Sequence, residues 1–181
     1  MKHSRIIIDP GHQGKDPGAV HPSGKPTEAS LVLPFASMLG QALKLMGHDV
    51  EFTPAVGLPK SEVIRAGERA RYANQLTADL LVSIHANACE SHKGIGSEVW
   101  YCTHRELAED MAEAISLGEN RNRGAKQSNT LSILSKTDMP AILLELGFID
   151  NDTDKDWLLK HWPAQVGAAA MVIHKYLEGF K

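Results

Sequence analysis

Hydrophobic and polar positions change period several times along this chain, and each change marks a predicted element. Ile6-Ile7-Ile8 sits in a short apolar run, and residues 4–8 read as a buried strand. The 20 residues DPGHQGKDPGAVHPSGKPTE follow, too rich in Gly and Pro for regular structure. From Ser30 to Met46, the residues Leu31, Phe35, Leu39, Leu43 and Met46 fall at steps of three and four. That is the period of a helix burying one face, with Gly47 placed to cap its end. Pro34 fits such a helix only in its first turn or at a kink, because proline donates no hydrogen bond. His48 to Thr53 alternates as a strand, Ser61 to Thr77 reads as a helix, and Asp79 to Ile84 is a second apolar strand. IGSEVWYC, residues 95–102, is β-rich, and His104 to Gly118 is helical with Leu107, Met111 and Ile115 four apart. Leu131 to Leu134 is expected to be a short strand. AILLELGF, opened by Met139-Pro140, is the clearest buried strand, and helices near 154–160 and 162–178 finish the chain.

Strands apolar on both faces, alternating with helices, predict an α/β fold with helices packed on each side of a sheet. With 181 residues, 43% of them hydrophobic, a single domain over residues 1–181 is expected. Charge removes one class of partner. The 19 basic and 22 acidic residues give a net charge of −3 with no dense Lys/Arg run, so no nucleic-acid footprint is present. No apolar run approaches the roughly 20 residues that cross a bilayer, so the chain is not expected to span a membrane. Asp9 closes the Ile6–Ile8 run after three residues, too few for a signal-peptide core, and synthesis in the cytoplasm without a signal peptide is expected. Cys89 and Cys102 form no Cys-x-x-Cys pair and are expected to be free thiols.

In open α/β sheets ligands bind beyond the carboxyl ends of the strands. Three predicted strand ends carry polar chemistry: Asp9-Pro10-Gly11-His12, His85-Ala86-Asn87, and Glu145 within AILLELGF. Glu145 stands out because Leu143, Leu144, Leu146 and Phe148 mark its surroundings as buried, and a buried carboxylate is normally paired, metal-bound or protonated. Two imidazoles and a carboxylate that converge suggest a zinc site with an open position. Glu145 could then be base or ligand, with Glu28 at the mouth of the first helix in the remaining role. Bland readings stand beside this one: a capping or core His85, a solvated His12, a Glu28 that complements a helix dipole, and a Glu145 paired with Arg69 or Arg65. Of the other histidines, His21 and His92 lie nearest the candidate site; these two, with His3, His48, His104, His161 and His174, are expected at the surface. No G-x-G-x-x-G, G-x-x-x-x-G-K-[ST] or G-x-S-x-G motif occurs, which leaves no phosphate loop and no serine-hydrolase elbow.

Taken together, IIIDPGHQGKDPGAV, then Glu28, then ADLLVSIHANA, then MPAILLELGFIDN resemble the zinc-dependent N-acetylmuramoyl-L-alanine amidases of the amidase-3 type. The likeness runs nearly end to end and includes Arg69, GSEVWY and RGAKQSNTLSILSKTDMP. It implies a twisted, mostly parallel sheet of about six strands with helices on both faces, one Zn2+ held by His12, Glu28 and His85, and Glu145 as the catalytic carboxylate. The implied substrate is bacterial peptidoglycan, cut between N-acetylmuramic acid and the L-alanine of the stem peptide. Loop 86–94 and segment 123–130 are expected to form the cleft, with Asn87, Lys126 and Asn129 touching substrate. The alternatives are another zinc peptidase or deacetylase, or a non-catalytic wall-binding module. A monomer without a separate wall-binding domain is expected, acting on the cell wall as an autolysin or as an endolysin released with a holin.

Overall fold

A computed structural model describes residues 3–179 apart from 55, 58, 60, 61 and 118–120. Its elements run β1 (Arg5–Pro10), α1 (Glu28–Leu45), β2 (Asp49–Phe52), α2 (Ala66–Gln75), β3 (Leu80–Asn87), β4 (Ser97–Tyr101), α3 (Arg105–Ile115), β5 (Asn122–Gln127), α4 (Ser132–Ser135), β6 (Ala141–Phe148) and α5 (Asp152–Glu178). The six strands form one sheet in the order β2-β1-β3-β6-β4-β5. Neighbours pair in parallel except β4 and β6, which run antiparallel. The expected α/β class, strand number and mostly parallel pairing are all present.

Side chains alternate across a strand, and here the alternation separates two cores. On one face Ile6, Ile8, Leu80, Val82, Ile84, Ile142, Leu144 and Leu146 pack with Phe35 and Leu39 of α1, Met111 and Ile115 of α3, and Ile173 of α5. On the other, Ile7, Leu81, Ala141 and Leu143 pack with Ala70 and Ala73 of α2 and with Ile133 and Leu134 around α4. The second cover is short. Beyond Ile7, Leu81 and Leu143 the same alternation brings Asp9, Ser83, His85 and Glu145 onto that face, and this is where the candidate site lies.

Several sequence expectations are corrected. Helix α1 starts at Glu28, capped by a reciprocal pair in which the Ser30 backbone N–H donates to Thr27 Oγ1 and the Thr27 N–H to Ser30 Oγ. Pro34 is therefore inside the helix rather than in its first turn; burial of Leu31, Val32, Phe35, Leu39 and Leu43 outweighs the missing hydrogen bond. Leu131–Leu134 is not a strand: Ile133 and Leu134 are adjacent and both buried, which suits the short helix α4. The two closing helices are a single 27-residue α5 that runs through Pro163 and ends at Gly179 in the left-handed region, φ 75°. Strand β5 was not anticipated, because NRGAKQ is polar and half-exposed at the sheet edge, with a register break beside Gly124. Ser61 and Gly118, expected ends of the second and third helices, lie outside the described residues, and α2 begins only at Ala66.

Candidate metal centre

The site is assembled from a strained loop, a helix start and a strand. After β1 the Gly11 N–H donates to the Ile84 carbonyl (2.8 Å), which ties the loop to β3. His12 and Gln13 then both take left-handed backbone angles, φ 66° and 89°, a costly conformation for residues with a Cβ. Gln13 is buried and its Nε2 donates to the carbonyls of Gly11 (3.1 Å) and Ala29 (3.2 Å), so the loop is clamped in that shape. Glycine is required on both sides of the histidine. A Cβ on Gly11 would collide with the His85 imidazole, and one on Gly18 would lie 2.6 Å from both Glu28 Oε2 and His12 Cδ2.

Glu28 is the first residue of α1, only 4% exposed, and both of its oxygens are spoken for. Oε1 lies 2.9 Å from His85 Nδ1 and accepts from the Ala86 N–H (3.1 Å). Oε2 lies 3.1 Å from His12 Nε2 and accepts from the Ala19 N–H (3.0 Å). On the far side of the His12 ring, Nδ1 meets Asp16 Oδ2 at 2.9 Å. A carboxylate behind a histidine fixes its tautomer and orientation, the arrangement commonly found around metal-ligating imidazoles. His12, Glu28 and His85 each offer one ligand atom within 4.8 Å of the others. Two imidazole nitrogens and a carboxylate oxygen are donors that suit a divalent transition ion, and three protein donors leave a coordination position open.

Electrostatics agree with the geometry. Burial would raise the Glu28 pKa, yet hydrogen bonds and charge from His12 and His85 hold it well below the ordinary carboxylate value. Burial would likewise lower that of His12, but Glu28 and Asp16 raise it. The three side chains form a compact site in which positive charge is stabilised.

Glu145 lies one strand away. His85 and Glu145 are register partners on β3 and β6, and Glu98 of β4 is the partner of Glu145 on its other side. Three polar residues thus form a row across the sheet, and Glu145 Oε2 is buried with no hydrogen-bond partner. Burial first, then the charges of Glu28 and Glu98, push the Glu145 pKa well above its usual value, with Lys126 opposing. The salt bridge to Arg69 or Arg65 is absent. Arg69 Nε pairs instead with the fully buried Asp9 Oδ1 (2.8 Å), which also accepts from Thr53 Oγ1, while Ser83 Oγ donates to Asp9 Oδ2 (both 2.7 Å).

Of the expected substrate contacts, the structure brings two into this row. Asn87 Nδ2 donates to Glu98 Oε1 (3.2 Å) and Lys126 Nζ to Glu98 Oε2 (2.5 Å), whereas Asn129 is exposed and accepts from Cys102 Sγ (3.3 Å). Sequence reasoning missed Glu98 and Asp16. Glu98 had the same signal as Glu145, a carboxylate inside an apolar strand; Asp16, in a Gly/Pro-rich loop, had none. Two histidines expected at the surface are buried: His21, whose Nε2 lies 3.2 Å from Asp152 Oδ1, and His48, whose Nε2 lies 3.0 Å from His174 Nδ1. His92 meets Asp150 Oδ2 at 2.9 Å beside the site loop. Cys89 and Cys102 are free thiols. Among the described residues no helix is long and apolar enough to cross a membrane.

The chain as a whole is similar to known proteins. Similar chains include the probable cell wall amidase LytH of Staphylococcus epidermidis, 30% identical over 178 residues, covering 95% of this chain and 57% of that protein. The chain therefore spans little more than half the length of that relative. Solved structures that it resembles include the N-acetylmuramoyl-L-alanine amidase AmiC2 of Nostoc punctiforme and an N-acetylmuramoyl-L-alanine amidase of Clostridium difficile. Each has a TM-score of 0.87 at 29% identity, over 97% of both chains. The family model described as N-acetylmuramoyl-L-alanine amidase matches residues 6–172, and the chain belongs to that family, the amidase-3 type.

Proposed function

We propose that this chain hydrolyses the amide between N-acetylmuramic acid and L-alanine in bacterial peptidoglycan, with His12, Glu28 and His85 holding one zinc ion and Glu145 as the general base. The observation that carries the reading is the convergence of those three ligand atoms within 4.8 Å, beside a buried carboxylate with an unpartnered oxygen on the adjoining strand. Bound there, zinc supplies a Lewis acid that makes water a nucleophile near neutral pH and offsets negative charge developing on the scissile carbonyl oxygen.

The chain's own residues do the rest. Glu28 stays ionised because its neighbours suppress its proton affinity, and the Ala19 and Ala86 N–H groups hold its two oxygens apart for two different partners. Asp16 fixes the His12 ring. Glu145, with no partner to release, takes the proton of the attacking water and returns it to the nitrogen of the departing L-alanine. Asn87 and Lys126 on the far wall of the cleft meet the sugar and stem peptide, with Asn129 at its rim.

Mass spectrometry of purified cell walls digested by the protein tests this. The expected products are stem peptides with a free L-alanine amino terminus and intact glycan strands. Digestion should stop with chelator and resume with zinc. Cleavage of soluble peptides lacking muramic acid, with walls left intact, would make the chain a different zinc hydrolase; metal-independent products would overturn the assigned centre.

A further inference from the structure

Glu98 is 2% exposed and its two oxygens collect four donors. Oε1 accepts from Asn87 Nδ2 (3.2 Å) and Trp100 Nε1 (3.1 Å); Oε2 accepts from Arg123 Nε (2.6 Å) and Lys126 Nζ (2.5 Å). Its register partner Glu145 has the opposite condition, an oxygen buried with nothing donating to it. Directly opposed residues on an antiparallel pair have Cβ atoms about 4.5–5.5 Å apart, so the two carboxylates draw on one set of neighbours. The sharing is one-sided.

Two cations and an amide lie within reach of this row, and any of them paired to Glu145 would fix its carboxylate and reduce its appetite for a proton. Lys126 is the most mobile threat. It is half-buried on β5 opposite Trp100, its Nζ sits 5.3 Å from the centre of the Trp100 ring, and it has a flexible four-carbon stem. Arg123, on the same Glu98 oxygen, is pinned more firmly, its guanidinium 5.0 Å over the Phe148 ring and its Nη1 donating to the Ile95 carbonyl (3.4 Å).

The geometry points to Glu98 as a positioning residue for Glu145: by holding the Lys126 ammonium and the Asn87 amide on its own oxygens, it keeps both from pairing with the neighbouring carboxylate that must accept the proton. Glu98 itself touches no reacting atom. The inference rests on the proposed role of Glu145, and its test separates the two. If the wild-type chain cuts no muramyl-alanine amide, the functional reading falls; if it does and the variants below behave otherwise than stated, only the inference falls.

Glu98→Gln keeps the shape and removes the charge. Its kcat is expected to drop roughly 10- to 100-fold, a fraction of the 10² to 10⁴ that a positioned general base contributes, with bound zinc little changed, while KM rises as Lys126 leaves its place on the cleft wall. The decisive measurement is the second substitution. Adding Lys126→Met should raise kcat about fivefold above Glu98→Gln alone, since contacting residues couple and the released cation is now gone, even if KM rises from a lost substrate contact. A double variant no faster than the single one overturns the proposal. Glu98→Asp, which keeps a charge for folding but shortens the reach, carries the same test should Glu98→Gln not fold.

A readout independent of turnover comes from the ¹⁵Nζ resonance of Lys126 in the metal-free protein. It should move on Glu98→Gln and move again when Glu145→Gln is added, because Lys126 has transferred to Glu145. A shift indifferent to Glu145→Gln means that the ammonium went to solvent, and it overturns the proposal.

Discussion

The two faces of the sheet are built from the same strands and do opposite things. On the face covered by α1, α3 and α5, apolar residues run the length of the central strands, from Leu80 to Ile84 on β3 and from Ile142 to Leu146 on β6. On the other face, α2 has 10 residues and α4 has 4, and apolar packing reaches only as far as Leu81 on β3 and Leu143 on β6. The next positions in the same alternation are Ser83, His85 and Glu145. A period of two that fills one core therefore delivers, where its cover ends, a row of polar side chains at the carboxyl end of the sheet. Strands position His85 and Glu145, and only His12 and Glu28 of the proposed site come from the connecting loop and helix.

Substitutions on the open face should therefore remove chemistry and leave the fold. The largest effect is expected from His85→Ala, which should lose both zinc and turnover while the chain keeps its far-ultraviolet dichroism; metal content by atomic absorption checks it, and a fully loaded, active variant ends the assignment. Next comes Glu145→Gln. It should cost on the order of 10² to 10⁴ in kcat and retain zinc. Zinc lost from that variant would make Glu145 a ligand instead.

The two faces also differed in how far they could be read beforehand. The covered face was legible because burial writes a pattern into sequence: Leu31, Phe35, Leu39 and Leu43 for α1, and the mostly apolar AILLELGF for β6. The open face was legible only where a polar residue interrupts such a run, as at His85 and Glu145. His12 and Glu28 lie in Gly/Pro-rich chain with no period, and their roles came from resemblance rather than from spacing. Strand β5 escaped notice because NRGAKQ is a polar edge strand with no buried side, so it lacks the apolar alternation that marks a strand. Asp16 and the clamp made by Gln13 are invisible in one dimension, since their partners are chosen by a backbone held at positive φ.

A smaller effect is expected behind the proposed ligands. Asp16→Asn leaves the three donors in place but removes the charge that orients His12, and a loss of about 10- to 100-fold in zinc affinity follows from the usual worth of such a partner. Competition with a chromophoric chelator measures it. The same pair sets a pH dependence in the metal-free protein. The His12 pKa is raised from 6.5 against the opposition of burial, by Glu28 and Asp16, so its contribution to stability is present below 6.5 and lost as pH rises through the folded value. Glu28, lowered from 4.5 by His12 and His85 against the same opposition, contributes above 4.5 and loses that as pH falls. The metal-free chain should thus melt highest between these limits, and Asp16→Asn should flatten the upper side of that optimum. An unchanged profile would mean that Asp16 does not hold the ring in solution.

The smallest effect on chemistry should come from the covered face, and it is the control that gives the comparison its meaning. Leu144 is fully buried and adjoins Glu145 in sequence, but its side chain points to the other side of the sheet, among the residues packed by α1, α3 and α5. Leu144→Ala removes three carbons from a close-packed interior and should cost about 2–5 kcal/mol of stability, the upper end if the surrounding side chains cannot collapse into the space. Zinc affinity and kcat, measured well below the lowered melting temperature, should stay within about twofold of the parent, because the Leu144 side chain packs on the opposite face of the sheet from the polar row. Glu145 shares a backbone with Leu144 and no partner with it, so a variant that melted early yet turned over normally would show that strand β6 transmits position but not strain. A kcat that fell with the stability would show instead that the two faces are mechanically one, and that Glu145 depends on the packing behind it as much as on the row beside it.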